Sequence, residues 1–290
     1  MELQQMRYVV AVAELGSFTR AAERCFVVQS ALSHQVARLE QELGVRLFHR
    51  TSRQVRLSVA GEAFLLVARQ CLDAADRAVA EVAATTGVVR GVLAVGVIPT
   101  VAAVDVPAAL RSFREDHPQV QVRLAGVNSE ESVRQVVAGT LDLAFLGLPE
   151  DTEPVGVESR ELARDRHRAV LAPDHPLAGR RRLRLAQLAD QPFVDFPAGS
   201  PGRRQSDLAF AAAGLTREVA FEVTDLLLMS RILRSGLAVA LLPSMVLTQV
   251  PDLVGIAVTG APARTEHVVW SRFGPSPAAA AFLDRIGIEA

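Results

Sequence analysis

Residues 17–61 read SFTRAAERCFVVQSALSHQVARLEQELGVRLFHRTSRQVRLSVAG. The pattern is a short helix, a tight turn and a second helix whose apolar residues share one side. That apolar stripe consists of Leu32, Val36, Leu39 and Leu43, spaced as the buried face of a helix. Glycine favours the position just past a helix end, so Gly44 is predicted to end this helix. The order of these elements predicts a helix-turn-helix motif.

The opposite face of the second helix is polar. It presents Gln29, Ser30, Ser33, His34 and Arg38. The first residues of a DNA-reading helix reach base edges in the major groove, where glutamine suits adenine and serine suits any base. An ordinary solvated face is the alternative for a helix taken alone. A two-stranded wing is predicted around residues 51–57, and its predicted DNA contacts are Arg50, Thr51 and Arg53.

The residues from Phe18 to Gly61 resemble the LysR-type transcriptional regulators of bacteria. The matches are Phe18, Ala21, Ala22, Gln29, Ala31, Leu32, Ser33, Gln35, Leu39, Glu40, Leu43, Gly44, Leu47, Phe48, Arg50, Thr51, Arg53, Leu57 and Gly61. The length of 290 residues also suits that family. Three positions depart from its pattern. Val28 replaces the usual Ser or Thr and cannot cap the helix. His34 stands where Arg is frequent, and Gln54 replaces the usual wing-tip glycine.

The resemblance implies a winged helix-turn-helix at residues 1–58, a linker and dimerisation helix at 59–89, and an α/β effector-binding domain at 90–290. It implies that the last domain is two-lobed and similar to periplasmic solute-binding proteins. Lobe one is then 91–162 with 267–290, lobe two is 163–266, and the chain crosses between them near Ala163 and Glu266. The implied partners are palindromic double-stranded promoter DNA, a small-molecule effector, a second copy of the chain, and RNA polymerase in an activator. A homotetramer is frequent in the family.

The predicted linker helix runs from Ser58 to about Thr86. Its apolar seam is Leu65, Ala68, Leu72, Ala75, Val79 and Val82, with alternating steps of three and four. Such a seam is typical of a coiled coil, and its predicted dimerisation residues are Leu65, Leu72, Val79 and Val82. Packing on the chain's own core is the alternative. Paired helices would place two reading heads on a palindromic site.

From residue 90 onward, short apolar strands alternate with helices, which predicts a parallel sheet with helices on both faces. Strands are predicted at 92–98, 120–126, 141–146, 169–172, 193–196, 219–223, 238–242 and 267–270. Helices are predicted at 100–117, 129–139, 202–213, 224–235 and 277–286.

Three strand-to-helix junctions predict a ligand pocket, because ligands of open α/β sheets bind beyond strand ends, where helix N-termini offer free N–H groups. The predicted effector-binding residues are Thr100, Asn128, Ser129, Phe145, Phe196, Ser200 and Gly202, with Ile98 as a further apolar wall. Thr100 and Ser129 acting as simple helix caps is the alternative. Junctions rich in donors favour an anion, so a small carboxylate is the expected effector.

Composition favours a non-membrane, non-enzymatic chain. The net charge is -1, yet residues 1–61 hold eight arginines against five glutamates, as expected for one DNA-binding end. We expect a cytoplasmic protein, because no signal peptide or long apolar run is present. Histidine spacing indicates no metal site, and no nucleophile elbow or phosphate loop occurs, so no cofactor is expected. A solute-binding or scaffold protein that does not regulate is the remaining alternative.

Overall fold

The chain divides into two compact units. The computed structural model describes residues 1–50, 54–84 and 88–289. The first unit comprises Met1–Val88 with Val137–Thr140, and the second comprises Val89–Val136 with Leu141–Ala290. Among the described helices, none is long and apolar enough to cross a membrane.

The first unit is a winged helix-turn-helix followed by a long helix. Its elements are α1 (Leu3–Leu15), α2 (Phe18–Arg24), α3 (Gln29–Leu43), β1 (Phe48–Arg50), β2 (Val55–Leu57) and α4 (Val59–Ala84). Strands β1 and β2 pair antiparallel. Ser17 caps α2 by accepting a hydrogen bond from the Arg20 N–H, and the Ser58 hydroxyl accepts one from the Gly61 N–H at the start of α4. The two predicted helices of the helix-turn-helix and the predicted linker helix are confirmed over the described residues, and the predicted end of the linker near Thr86 lies outside them.

The predicted apolar stripe of α3 holds for three of its four residues. Leu32, Val36 and Leu39 are fully buried, together with Phe48 of the wing. Leu43 is 39 % exposed, so its assignment to the buried stripe was wrong. It is the last residue of α3, and the chain turns away at Gly44, whose φ of 69° suits glycine.

The second unit is an α/β domain. Its elements are β3 (Gly91–Val97), α5 (Val106–Asp116), β4 (Val120–Gly126), α6 (Ser129–Val137), β5 (Leu143–Pro149), β6 (Val157–Leu171), β7 (Arg182–Arg184), α7 (Leu185–Leu188), β8 (Phe193–Asp195), α8 (Pro201–Ala212), β9 (Val219–Glu222), α9 (Leu226–Arg234), β10 (Ala240–Pro243), a 3-10 helix (Ser244–Gln249), β11 (Val254–Thr259), β12 (Ala263–Ser271) and α10 (Pro277–Arg285).

Two long strands hold this domain together. The main sheet has the order β4-β3-β5-β12-β6-β11-β7, and β10 also pairs with β6. Strands β3, β4 and β5 are parallel, whereas β12 runs antiparallel to both β5 and β6. Ala163 and Glu266, the two predicted crossing points, are cross-strand partners in the β6–β12 pair. A separate parallel pair, β8 and β9, completes the second half of the domain.

Several predictions for this domain need correction. The sheet is mixed rather than parallel, because the predicted strands 169–172 and 267–270 are parts of the long antiparallel pair β6 and β12. The predicted helix 100–117 begins only at Val106, since Asp105 accepts a hydrogen bond from the Ala108 N–H and fixes the start there. Strands β7 and β11 were not predicted.

Candidate DNA-reading and effector sites

The recognition helix α3 is held by polar contacts on its inner side and exposes its outer side. The Gln5 side chain donates to the Gln35 amide oxygen at 3.2 Å, which ties α3 to α1. Glu40 accepts hydrogen bonds from the N–H groups of Leu47 and Phe48, at 2.8 and 3.2 Å, which fixes the start of the wing. Rigid support of this kind sets the angle at which a reading helix is presented.

The residues predicted to read DNA lie on one face of α3. Gln29, Ser30, His34 and Arg38 are exposed, and Ser33 is half-buried beside them. Val28 occupies the N-cap position without a side-chain hydrogen bond, as its residue type predicted. In the wing, the backbone of Arg50 pairs with Val55, but its side chain lies outside the described part of the chain. The predicted contacts Thr51 and Arg53 also lie outside the described residues.

The predicted seam of α4 is only partly exposed in the single chain. Ala68 is 1 % exposed, and Leu65 and Leu72 are half-buried. Helix α1 packs along α4, with ion pairs Arg69–Glu14 at 3.1 Å and Arg7–Asp76 at 3.5 Å. Val79 and Val82 are 65 % and 70 % exposed. The first half of the seam is therefore partly covered within the chain, and Val79 and Val82 in the second half present apolar surface.

A cavity of about 460 Å³ lies in the α/β domain at the ends of its strands. Six of the seven predicted effector residues line it: Thr100, Asn128, Ser129, Phe196, Ser200 and Gly202. Ile98 also lines it. Phe145 does not, and its assignment to the pocket was wrong. The cavity meets β5 at Gly147, whereas Phe145 lies two residues earlier, within the core formed with Val268 and Phe282.

A buried arginine anchors the Thr100 side of the cavity. The Arg264 Nη1–H donates to the Thr100 hydroxyl oxygen at 2.8 Å, and Nη2–H donates to the Thr100 carbonyl oxygen at 2.9 Å. Nη2 also contacts the Glu266 carboxylate. That carboxylate accepts hydrogen bonds from the N–H groups of Ala102 and Ala103, at 3.1 and 3.0 Å. Arg264 and Glu266 are 3 % and 1 % exposed, so each buried charge is paired and hydrogen-bonded.

The Ser129 side of the cavity is built against β5. The Ser129 hydroxyl oxygen accepts a hydrogen bond from the Gly147 N–H at 3.1 Å. The Gln205 amide donates to the Gly147 carbonyl oxygen at 3.3 Å. Asn128 and Ser200 act as helix caps, accepting from the N–H groups of residues 131 and 203. Gly202 approaches the Phe196 ring so closely that a Cβ there would lie 3.2 Å from it.

Two further titratable groups line the cavity. Burial lowers the pKa of His167 to about 4, with a further contribution from the Arg264 cation. Burial raises the pKa of Asp195, although Arg217 donates to its carboxylate at 2.7 Å. The Arg217 guanidinium lies 4.7 Å from the centre of the Phe193 ring, so its charge is enclosed between the carboxylate and an aromatic face.

Sequence reasoning missed about half of the cavity lining, including the polar residues His167, Asp195, Gln205 and Arg264. Two of them carried a readable signal. Asp195 interrupts the apolar run Phe-Val-Asp-Phe within a predicted strand, and a carboxylate there is unusual. Arg264 opens a run of four polar residues, 264–267, directly before an apolar strand end. All four are at most 3 % exposed.

Comparison with known proteins agrees with this architecture. The family model described as "LysR substrate binding domain" matches residues 86–289. The one described as "Bacterial regulatory helix-turn-helix protein, lysR family" matches residues 3–62. The RuBisCO operon transcriptional regulator of Allochromatium vinosum is 33 % identical and covers 100 % of this chain and 97 % of its own. The uncharacterized HTH-type transcriptional regulator YnfL of Escherichia coli K12 is 35 % identical over 84 % of this chain and 82 % of its own.

Solved structures of full-length regulators are also similar. A full-length OxyR variant from Pseudomonas aeruginosa has a TM-score of 0.76 and 25 % identity, covering 100 % of this chain and 96 % of that one. CbnR complexed with its target DNA has a TM-score of 0.67 and 26 % identity, covering 99 % of each chain. The helix-turn-helix, the two-lobed α/β domain and these matches establish that the chain belongs to the LysR family of DNA-binding transcriptional regulators, which respond to an effector through their C-terminal domain.

Proposed function

We propose that the effector of this regulator is a small carboxylate, held in the 460 Å³ cavity by the hydroxyl groups of Thr100 and Ser129. The observation that carries this proposal is the direction of the hydrogen bond between Arg264 and Thr100. A guanidinium group only donates hydrogen bonds. The Thr100 hydroxyl must therefore accept from Arg264, and its own proton remains available to be donated to a ligand.

The Ser129 hydroxyl is also placed to donate a hydrogen bond to a ligand. Its oxygen accepts from the Gly147 N–H at 3.1 Å, so its own proton must be donated to another acceptor. Within the chain, the Ser129 hydroxyl donates to the Gly147 carbonyl oxygen at a long oxygen–oxygen distance of 3.4 Å, and Gln205 also donates to that oxygen. A carboxylate oxygen at normal hydrogen-bond distance offers a stronger acceptor than this long contact.

Among the described residues, the charged side chains around the cavity are already paired, so no unpaired carboxylate there would repel a bound anion. Glu266 is neutralised by Arg264, and Asp195 by Arg217. With its pKa near 4, His167 is neutral at physiological pH. The available hydroxyl protons, rather than an unpaired cation, are therefore what selects the ligand. A carboxylate gains charge-assisted hydrogen bonds from them, whereas a neutral amide gains weaker ones.

We further propose how the protein contacts DNA, how it assembles and where it acts. Gln29, Ser30, Ser33, His34 and Arg38 contact the operator, with Arg50, Thr51 and Arg53 on the wing. Domain boundaries near residues 58 and 89 separate the DNA-binding domain, the linker helix and the effector domain. A homodimer forms through α4 and pairs into a tetramer, with RNA polymerase as partner in activation. The protein acts in the cytoplasm and catalyses no reaction.

A binding screen tests the carboxylate proposal. Full-length protein is titrated with benzoate, succinate and 4-hydroxybenzoate, and with the matching amides, while thermal stability is followed. At least one acid should stabilise the protein, and its amide should not. Thr100→Val should weaken binding of that acid by about 10-fold or more, because a hydrogen bond to a charged group contributes about 1.5–3 kcal/mol.

A matched control is Thr248→Val, because the Thr248 hydroxyl donates to the Met245 carbonyl oxygen and takes no part in the cavity. That variant should bind the acid as the parent does. Equal binding of acid and amide by the parent would contradict the carboxylate class. Unchanged binding by both Thr100→Val and Ser129→Ala would contradict the assignment of these two hydroxyls. Mobility shifts with operator DNA should stay unaltered in all three variants when no ligand is added.

A further inference from the structure

Two large apolar side chains stand exposed in the turn between α2 and the recognition helix α3. Phe26 is 95 % exposed and Val28 is 68 % exposed. Val27, between them, packs against the core of the helix-turn-helix. Phe26 and Val28 are therefore both exposed in the turn that immediately precedes α3. We call this pair the turn patch.

The backbone at Phe26 shows that the turn itself does not favour an aromatic residue. Phe26 has a φ of 55°, and it is the only non-glycine with positive φ among the described residues. Its N–H bonds to the Glu23 carbonyl and the Val27 N–H to the Ala22 carbonyl, at 3.1 and 3.0 Å. These two bonds form the helix-ending motif whose left-handed position normally holds glycine or asparagine. A bulky residue there is strained, and the exposed ring recovers no burial within the chain.

The position of the turn patch indicates what the two side chains meet. Val28 directly precedes Gln29, the first residue of α3. The first residues of a recognition helix reach base edges in the major groove, while the preceding helix crosses the backbone. Neither the Phe26 nor the Val28 side chain can donate a hydrogen bond to phosphate. The apolar group that a base edge offers in the major groove is the C5-methyl group of thymine, and phenylalanine is among the side chains that contact it.

We propose that the turn patch is a sequence-reading site, in which Phe26 and Val28 pack against a thymine methyl group beside the base pair addressed by Gln29. The proposal rests on the DNA-binding function of the family and adds a base preference that the polar face of α3 does not supply. The strain at Phe26 fits a residue retained for contact with a ligand rather than for the fold.

Replacing thymine by deoxyuridine tests this directly, because it removes only the methyl group. Full-length protein first selects its operator from random duplex DNA. Each thymine of the selected site is then replaced in turn by deoxyuridine, and affinity is measured by fluorescence anisotropy. At one thymine in each half-site the parent should bind about fourfold more weakly, the factor expected for one methyl group no longer buried.

The variants Phe26→Asn and Val28→Ser should bind the thymine and deoxyuridine duplexes equally well. Asparagine tolerates a positive φ, so the first variant keeps the turn. Neither change alters charge, so the salt dependence of binding should match the parent. Phe273→Asn replaces another exposed phenylalanine, 65 % exposed in the α/β domain, and should retain the full deoxyuridine effect.

Four outcomes would overturn the proposal. In the first, the selection would enrich no sequence. In the second, no replacement of thymine by deoxyuridine would weaken binding of the parent. In the third, the two variants would keep the parent's sensitivity to deoxyuridine. In the fourth, Phe26→Asn would change the oligomeric state in light scattering and keep the sensitivity to deoxyuridine. That result would place a second copy of the chain on the turn patch.

Discussion

Acidification should destabilise the effector domain through one buried histidine. His167 is 5 % exposed, and burial lowers its pKa to about 4 from an ordinary value of 6.5. Its Nδ1 lies 3.1 Å from the Pro262 carbonyl oxygen, so that nitrogen carries the single proton of the neutral ring. The nearby Arg264 cation opposes a second proton, and Asp165 compensates for it only in part.

The sign and size of the effect follow from the two pKa values. The folded-state pKa is the lower one, so the neutral ring stabilises the fold fully above pH 6.5. As pH falls from 6.5 towards 4, the unfolded chain binds a proton that the folded chain refuses. The resulting loss is about 2 kcal/mol at pH 5 and approaches about 3 kcal/mol near pH 4.

The measurement is the free energy of unfolding of the effector domain within the full chain, for the parent and for His167→Gln, between pH 7.5 and 5. Glutamine keeps an amide donor for the Pro262 carbonyl oxygen but cannot titrate. The parent should lose about 2 kcal/mol more than the variant over this interval. Carboxylates such as Asp165 titrate in both proteins, so their contribution cancels. Parallel curves for parent and variant, or a His167 NMR resonance that titrates near pH 6.5, would refute the reasoning.

Three further outcomes are expected. Val79→Glu combined with Val82→Glu places charge on the exposed half of the α4 seam, so light scattering should show monomers, and an intact dimer would reject the seam. Gly61→Ala should lower the free energy of unfolding of the DNA-binding unit by more than about 2 kcal/mol, because its Cβ would lie 2.1 Å from the Leu47 carbonyl oxygen. Gln29→Ala should reduce discrimination at one base pair by about 1–3 kcal/mol in competition binding, and an unchanged preference would remove Gln29 from base reading.

The helix-turn-helix was predictable because its signals are local. Leu32, Val36 and Leu39 follow helical spacing within one helix, and Gly44 ends that helix through its own backbone freedom. Such features depend on residues close in sequence, so their interpretation needs no knowledge of the rest of the chain. Leu43 was misassigned because the local spacing pattern continues to the last turn of α3, whereas the core that covers the helix ends before it.

The sheet of the effector domain was less predictable because its order depends on distant pairing. The antiparallel pair β6 and β12 joins residues about a hundred positions apart, and its polar ends gave no strand signal. Arg264 and Glu266 sit in this pair and are charged, so their types indicate exposure, whereas mutual pairing makes them buried. Thr100 was predicted to line the cavity at the start of a helix, yet α5 starts six residues later. It reaches the cavity because Arg264 holds it there.

Strands β6 and β12 connect Thr100 to other parts of the domain, so a ligand bound at Thr100 would affect their contacts. Arg264 joins the Thr100 hydroxyl to Glu266, and Glu266 holds the backbone N–H groups of Ala102 and Ala103. On the neighbouring strand, the Asp165 carboxylate accepts hydrogen bonds from Ser244 and the Met245 N–H, at 2.6 and 2.9 Å. Glu266 thus binds residues 102–103 to β12, and Asp165 binds residues 244–245 to β6. An anion that accepted a hydrogen bond from the Thr100 hydroxyl would strengthen one end of this chain of charge-assisted hydrogen bonds. On the proposal that the effector binds here, it would shift the arrangement of the lobes only by the difference between its affinities for the two arrangements, and that difference would arise at the Thr100–Arg264–Glu266 contacts.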